Sequence, residues 1–117
     1  AMTTPIGPYS PSVRAGDFII VSGQLGVVDG ALVDGVTAQT TQAVANLADR
    51  LAEYGADLSA ISKTMCFLTD MSTFGEFNDA YVAAFGDHRP ARSTIGVAAL
   101  PLNGAVEIEA WAYSPER

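Results

Sequence analysis

Ile61-Ser-Lys-Thr-Met-Cys-Phe-Leu-Thr69 is the stretch whose reading decides the fold. Side chains of an extended chain alternate between two faces, and here Ile61, Met65 and Phe67 fall on one side while Cys66 and Leu68 fall on the other. Both sides are apolar, so the segment predicts an internal strand with cover on each face. Before it, residues 37–54 carry Val44, Leu47, Ala48, Leu51 and Tyr54 at spacings of three and four, as on an amphipathic helix. Asp34 or Thr37 is placed to cap its start, and Gly55 its end. After it, Thr73-Phe-Gly-Glu76 has the spacing of a capping box, and Phe74, Phe77, Tyr81, Ala84 and Phe85 trace a helical stripe that stops at Gly86.

Further outward the pattern is β-rich. Pro5, Pro8 and Pro11 hold the start extended, and Ala15-Gly16-Asp17 is a turn signal between two strands, the second running through residues 18–25. Asp29-Gly30 then sits between short apolar runs and predicts a tight hairpin. Two more strands are expected near residues 93–99 and 106–113, joined through Pro101 and Asn103-Gly104. The order β-β-(β)-α-β-α-β-β describes an α+β fold in one domain over residues 1–117, with two helices on one face of a mixed sheet. The other face then needs a second subunit to cover it.

Composition agrees. Apolar residues make up 49% of the 117 and charged residues 16%, against about a quarter in an average domain, so few charges are available to coat the surface. Six basic and thirteen acidic residues leave a net charge of −7 with no basic run, which disfavours nucleic acid as a partner. The lone Cys66 allows no intrachain disulfide and no thiolate metal cluster, so the expected setting is intracellular and cytoplasmic. No signal peptide or membrane span is expected, since the apolar runs fall far short of about 20 residues.

The candidate site lies in Arg89-Pro-Ala-Arg-Ser-Thr94 and the strand after it. Val106, Ile108, Ala110 and Ala112 alternate with Glu107, Glu109, Trp111 and Tyr113, which puts both carboxylates on one strand face. Arg92 and Glu107 together offer a guanidinium fork for an anion and a carboxylate for a proton or a water. By itself the pattern also fits a solvated strand face with a surface ion pair. His88, the single histidine, reads as solvent-exposed or as pocket rim, and no metal-ligand spacing accompanies it. Cys66 reads as a buried, unreactive thiol, and the aromatic stripe of residues 74–85 as helical core.

Ile6-Gly-Pro-Tyr-Ser10, Val21-Ser-Gly-Gln24, Pro90-Ala-Arg-Ser93, Leu100-Pro101 and Val106-Glu-Ile-Glu109, in this order, resemble the Rid family of YjgF-type reactive intermediate deaminases, also described as endoribonuclease L-PSP-like. The resemblance spans nearly the whole chain. It implies a fold like that of the small trimeric chorismate mutases, a homotrimer with sites between subunits, and no cofactor. It further implies hydrolysis of enamines or imines such as 2-aminoacrylate and 2-aminocrotonate to 2-oxo acids and ammonia. Arg92 matches the arginine that grips the substrate carboxylate, and Glu107 the acid that positions water. Tyr9, Ser22, the Gly23 backbone and Asn78 match the pocket wall; apart from the resemblance, Tyr9 also fits interface packing, Ser22 a strand-end hydroxyl and Asn78 a solvated helix position. Thr94, also placed in the substrate pocket, stands where many deaminating members have cysteine, which excludes a thiol mechanism at that site. The brief loop of residues 86–90 is a second departure. These two differences leave room for a non-catalytic carboxylate-binding role, and the family's other reported activity, as a ribonuclease or translation inhibitor, is disfavoured by the charge.

Overall fold

A computed structural model describes residues 7–116, so Pro5 and Ile6 lie outside the described residues. In chain order the elements are β1 (Ser12–Ala15), β2 (Phe18–Leu25), β3 (Val27–Val28), β4 (Ala31–Leu32), α1 (Val36–Ala52), β5 (Ile61–Leu68), α2 (Phe74–Phe85), β6 (Ala91–Gly96) and β7 (Val106–Tyr113). The main sheet runs β1-β2-β7-β5-β6, parallel only between β5 and β6, and β3 and β4 form a separate hairpin. This is the mixed α+β arrangement that the patterning predicts, with β5 internal. The hairpin turns at Asp29 and Gly30, whose φ angles of 52° and 81° give the twist that two strands need across a two-residue loop.

Both helices pack on one face of the sheet. Ile19, Val21, Val106, Ile108, Ala110 and Ala112 from the strands meet Val44, Leu47 and Leu51 of α1 and Phe77, Tyr81 and Phe85 of α2 in one buried core. Asn46 fastens α1 to the sheet margin by donating to the Leu25 and Val27 carbonyls at 3.0 Å each. The closest approach is at Gly26, where a Cβ would lie 2.5 Å from the Gln39 Cα. Only glycine fits there, because the obstacle is helix backbone.

Several local expectations are corrected. The α1 helix starts at Val36 behind Gly35, with no side-chain cap. Its presumed cap Thr37 instead donates to Glu76 at 2.9 Å, which joins the first turns of the two helices. That leaves no capping box at Thr73. Asp70 forms its own turn by accepting from the Ser72 N–H at 2.9 Å, and Thr73 enters the helix at φ −89°, ψ 8° rather than extended. The α1 helix ends at Ala52, and Gly55 supplies the left-handed turn beyond it at φ 75°, with Ala56 N–H reaching back to the Leu51 carbonyl at 3.1 Å. In β5, a bulge opposite Trp111 and Ala112 turns Ile61 onto the helix face, apart from Met65 and Phe67. The strand expected at 93–99 occupies residues 91–96, and the chain then turns through Leu102 and Asn103 at φ 59° and 61°.

The other face of the sheet is apolar and open. Val13, Phe18, Ile95 and Tyr113 are 40–51% exposed there, beside half-buried Ile20, Met65, Phe67 and Trp111. Gly26→Ala is expected to lower the unfolding free energy by about 3 kcal/mol, because α1 must move off the sheet. Chemical denaturation measures this, and an unchanged midpoint would contradict the contact.

Candidate functional site

Glu107 and Glu109 project from β7 onto the open face, paired across β5 with Phe67 and Met65. On the other side, β2 bulges. Val21 pairs with Ala110 and Gln24 with Ile108, so Ser22 and Gly23 together stand opposite Glu109. The bulge aims the Gly23 backbone at Glu107, where a Cβ would sit 2.7 Å from the carboxyl carbon. Gly23 and Glu107 are thus brought together, and a side chain at position 23 would push the Glu107 carboxyl from this place. The Ser22 hydroxyl donates to the Ser10 carbonyl at 2.7 Å and its N–H to the Pro11 carbonyl at 2.9 Å. Those bonds tie the segment carrying Tyr9, itself 47% exposed, to the bulge. Ser22 therefore spends its proton on structure and offers only its oxygen lone pairs outward.

Burial raises the proton affinity of Glu107 above the ordinary carboxylate range, and the neighbouring Glu109 charge adds to it. Glu109 is raised too, by burial.

Arg92 lies on the opposite side. The parallel register pairs it with Thr64, and Thr94 with Cys66, so both face the helix layer. The guanidinium carbon sits 4.9 Å from the ring centre of Tyr81, 5.5 Å from Phe77 and 5.6 Å from Phe74, all on α2. Among the described residues it makes no ion pair and no hydrogen bond, the one salt bridge being Arg50 with Glu53. Asn78 follows Phe74 by four positions and precedes Tyr81 by three, which puts it on the same helix stripe. Asn78 Oδ1 and Thr94 Oγ1 are buried without a hydrogen-bond partner, two of three such side-chain atoms among the described residues. Cys66 is fully buried and desolvation pushes its thiol up to about 11, so it is inert as expected.

The seven expected residues therefore fall into two groups. Arg92, Asn78 and Thr94 belong to the helix side, while Glu107, Gly23 and Ser22, with Tyr9 tethered by its neighbours, belong to the open side. A single chain does not bring Arg92 to Glu107, because the sheet stands between them. Arg89 is not a second free cation, since its guanidinium donates to the Gly86 and His88 carbonyls. His88 is half-buried rather than exposed, and its ring Nε2 bonds the Ile61 carbonyl at 2.8 Å, pinning the loop to β5. The reading of Phe74, Phe77 and Tyr81 as core alone is also corrected, because they carry the Arg92 cation. Helical spacing marked their shared face but not the arginine on the strand below it.

The raised proton affinity of Glu107 gives a test of its setting. A carboxyl that holds its proton more tightly in the folded chain than in the unfolded one costs nothing at low pH and destabilises the fold as pH rises through its folded pKa. Glu107→Gln is thus expected to raise the unfolding midpoint at pH 7, with the gain gone by about pH 4. Thermal unfolding at the two pH values decides it, and an equal gain at both would assign the effect to packing instead.

The family model described as endoribonuclease L-PSP matches residues 1–114. The chain is 43% identical over 108 residues to a mouse 2-iminobutanoate/2-iminopropanoate deaminase, covering 90% of this chain and 80% of that protein. The crystal structure of the Escherichia coli YjgF gene product superposes with a TM-score of 0.89 at 38% identity, over 93% of this chain and 90% of that one. Escherichia coli TdcF with bound serine gives a TM-score of 0.89 at 32% identity, with the same coverage.

Proposed function

Because this chain belongs to the endoribonuclease L-PSP family, in which the Rid and YjgF proteins stand, we propose that it hydrolyses 2-imino acids and their enamine tautomers to 2-oxo acids and ammonia. The observation that carries this reading is the Arg92 guanidinium, whose five donors meet no acceptor among the described residues while three rings hold it in place. A fork in that state suits a planar carboxylate, bound by two parallel charge-assisted hydrogen bonds. Serine, the molecule bound in TdcF, is such a carboxylate.

The site is shared between subunits in this proposal. Arg92, Asn78 and Thr94 from one copy face Glu107, Gly23, Ser22 and Tyr9 from its neighbour, in a homotrimer that also covers the apolar open face. Glu107, with its raised proton affinity, accepts a proton from water as the oxygen attacks C2 of the imine. It then returns that proton to the nitrogen of the tetrahedral carbinolamine. As the C–N bond breaks, the carbinolamine hydroxyl gives its proton, again through Glu107, to the departing nitrogen, so ammonia leaves and the 2-oxo acid forms. No residue has to become covalently attached to substrate, so a threonine at position 94 is compatible with turnover. A cytoplasmic setting is part of the same proposal. The net charge of −7 supports a small anion in a local basic pocket rather than RNA.

Removing the fork costs on the order of 3 kcal/mol, so Arg92→Ala is expected to lower kcat/KM by about a hundredfold. The assay follows 2-oxo acid and ammonia release from freshly generated 2-aminocrotonate, and a folded variant with an unchanged rate would sink the assignment. Thr94 and the two unpartnered oxygens also suit a protein that binds a carboxylate without turning it over. Calorimetric binding without any acceleration in that assay would favour this second reading. Sharing of the site has its own measurement. Arg92→Ala and Glu107→Ala subunits, each strongly impaired alone, should regain parent-like activity in roughly a quarter of their sites when refolded together as mixed oligomers. No recovery would argue against a shared site.

A further inference from the structure

We propose that Tyr81 is the positioning residue for Arg92, an inference that rests on Arg92 gripping the substrate carboxylate. An arginine side chain has many rotamers, and a fork recognises a carboxylate well only when it is already oriented. The usual orienting partner is an acid, but an acid takes up the donors that the substrate needs. Ring faces attract the cation through their quadrupole and take none of its N–H groups.

Tyr81 is the nearest of the three rings at 4.9 Å, and it is itself fixed. Its hydroxyl meets the Thr64 hydroxyl at 2.7 Å, in a region where Thr64 is fully buried and Tyr81 nearly so. Phe77 and Phe85 flank the ring at 5.6 and 4.6 Å between centroids. Thr64 is also the residue paired with Arg92 across β5 and β6. The three residues therefore close a triangle in which Arg92's strand neighbour holds the ring that holds Arg92. Phe74 completes the platform at its rim and is 37% exposed, so it is the ring that the protein can change with least effect on its core.

A carboxylate grip is the same in ground and transition states, so loosening its anchor should raise KM and spare kcat. In the 2-aminocrotonate assay, Tyr81→Leu is expected to raise KM about tenfold with kcat within about twofold. Tyr81→Phe, which keeps the ring and loses the Thr64 bond, should raise KM about threefold, as should Phe74→Leu. In an Arg92→Ala background all three should change kcat/KM by less than about twofold, since the anchored group is gone. Calorimetric binding of 2-oxobutanoate gives the same comparison without turnover. Effects that persist undiminished in the Arg92→Ala background, or a fall in kcat at constant KM, would show a merely structural role and overturn the proposal. Normal KM in Phe74→Leu and in both Tyr81 variants, with Arg92→Ala impaired, would overturn it and leave the role of Arg92 standing. An Arg92→Ala variant that binds 2-oxobutanoate as the parent does would overturn both.

Discussion

The two-residue period of β7 is the constraint on which the rest depends. Val106, Ile108, Ala110 and Ala112 point into the helix layer and are almost wholly buried, so the residues between them have nowhere to go but the open face. A shift of one residue would drive Glu107 and Glu109 into the core, where unpaired carboxylates cannot remain charged. Burial of the apolar set thus fixes where the carboxylates stand. Their raised proton affinity follows from partial burial on a largely apolar face, and at Glu107 the Glu109 charge adds to it.

The same economy of charge shapes the helix side. The guanidinium of Arg92 faces three aromatic rings and no acid, which leaves its donors unspent. Asn78 and Thr94 keep buried oxygens without partners on that side. Groups left unsatisfied cost stability, and proteins retain them mainly where a ligand uses them. Elsewhere among the described residues Thr40 Oγ1 is the one other such atom, while Asn46 and His88 bond strand carbonyls.

Much of the fold was legible in the chain. The two-face apolarity of residues 61–69 places β5 inside the sheet, the spacings around Leu47 and Phe77 place both helices, and Asp29-Gly30 places the hairpin. The misreadings were local. Thr37 and Thr73 looked like caps, but hydroxyls choose among neighbours that only the packed structure supplies, and Glu76 drew Thr37 away. Ile61 changed face because a bulge breaks strict alternation, and no residue in that strand announces a bulge.

Sequence by itself determined the element order, the direction of the helix faces and the alternation that separates Glu107 from the core, because these follow from periodicity and burial within short segments. The family resemblance singled out Arg92 and Glu107, and it did so without saying where they stand. Only the tertiary structure decided that they lie on opposite sides of one sheet, that Gly23 faces Glu107, and that Tyr81 underlies Arg92. The reason is physical: strand order, parallel or antiparallel pairing and register depend on contacts between segments far apart in the chain, and those contacts decide which side chains meet.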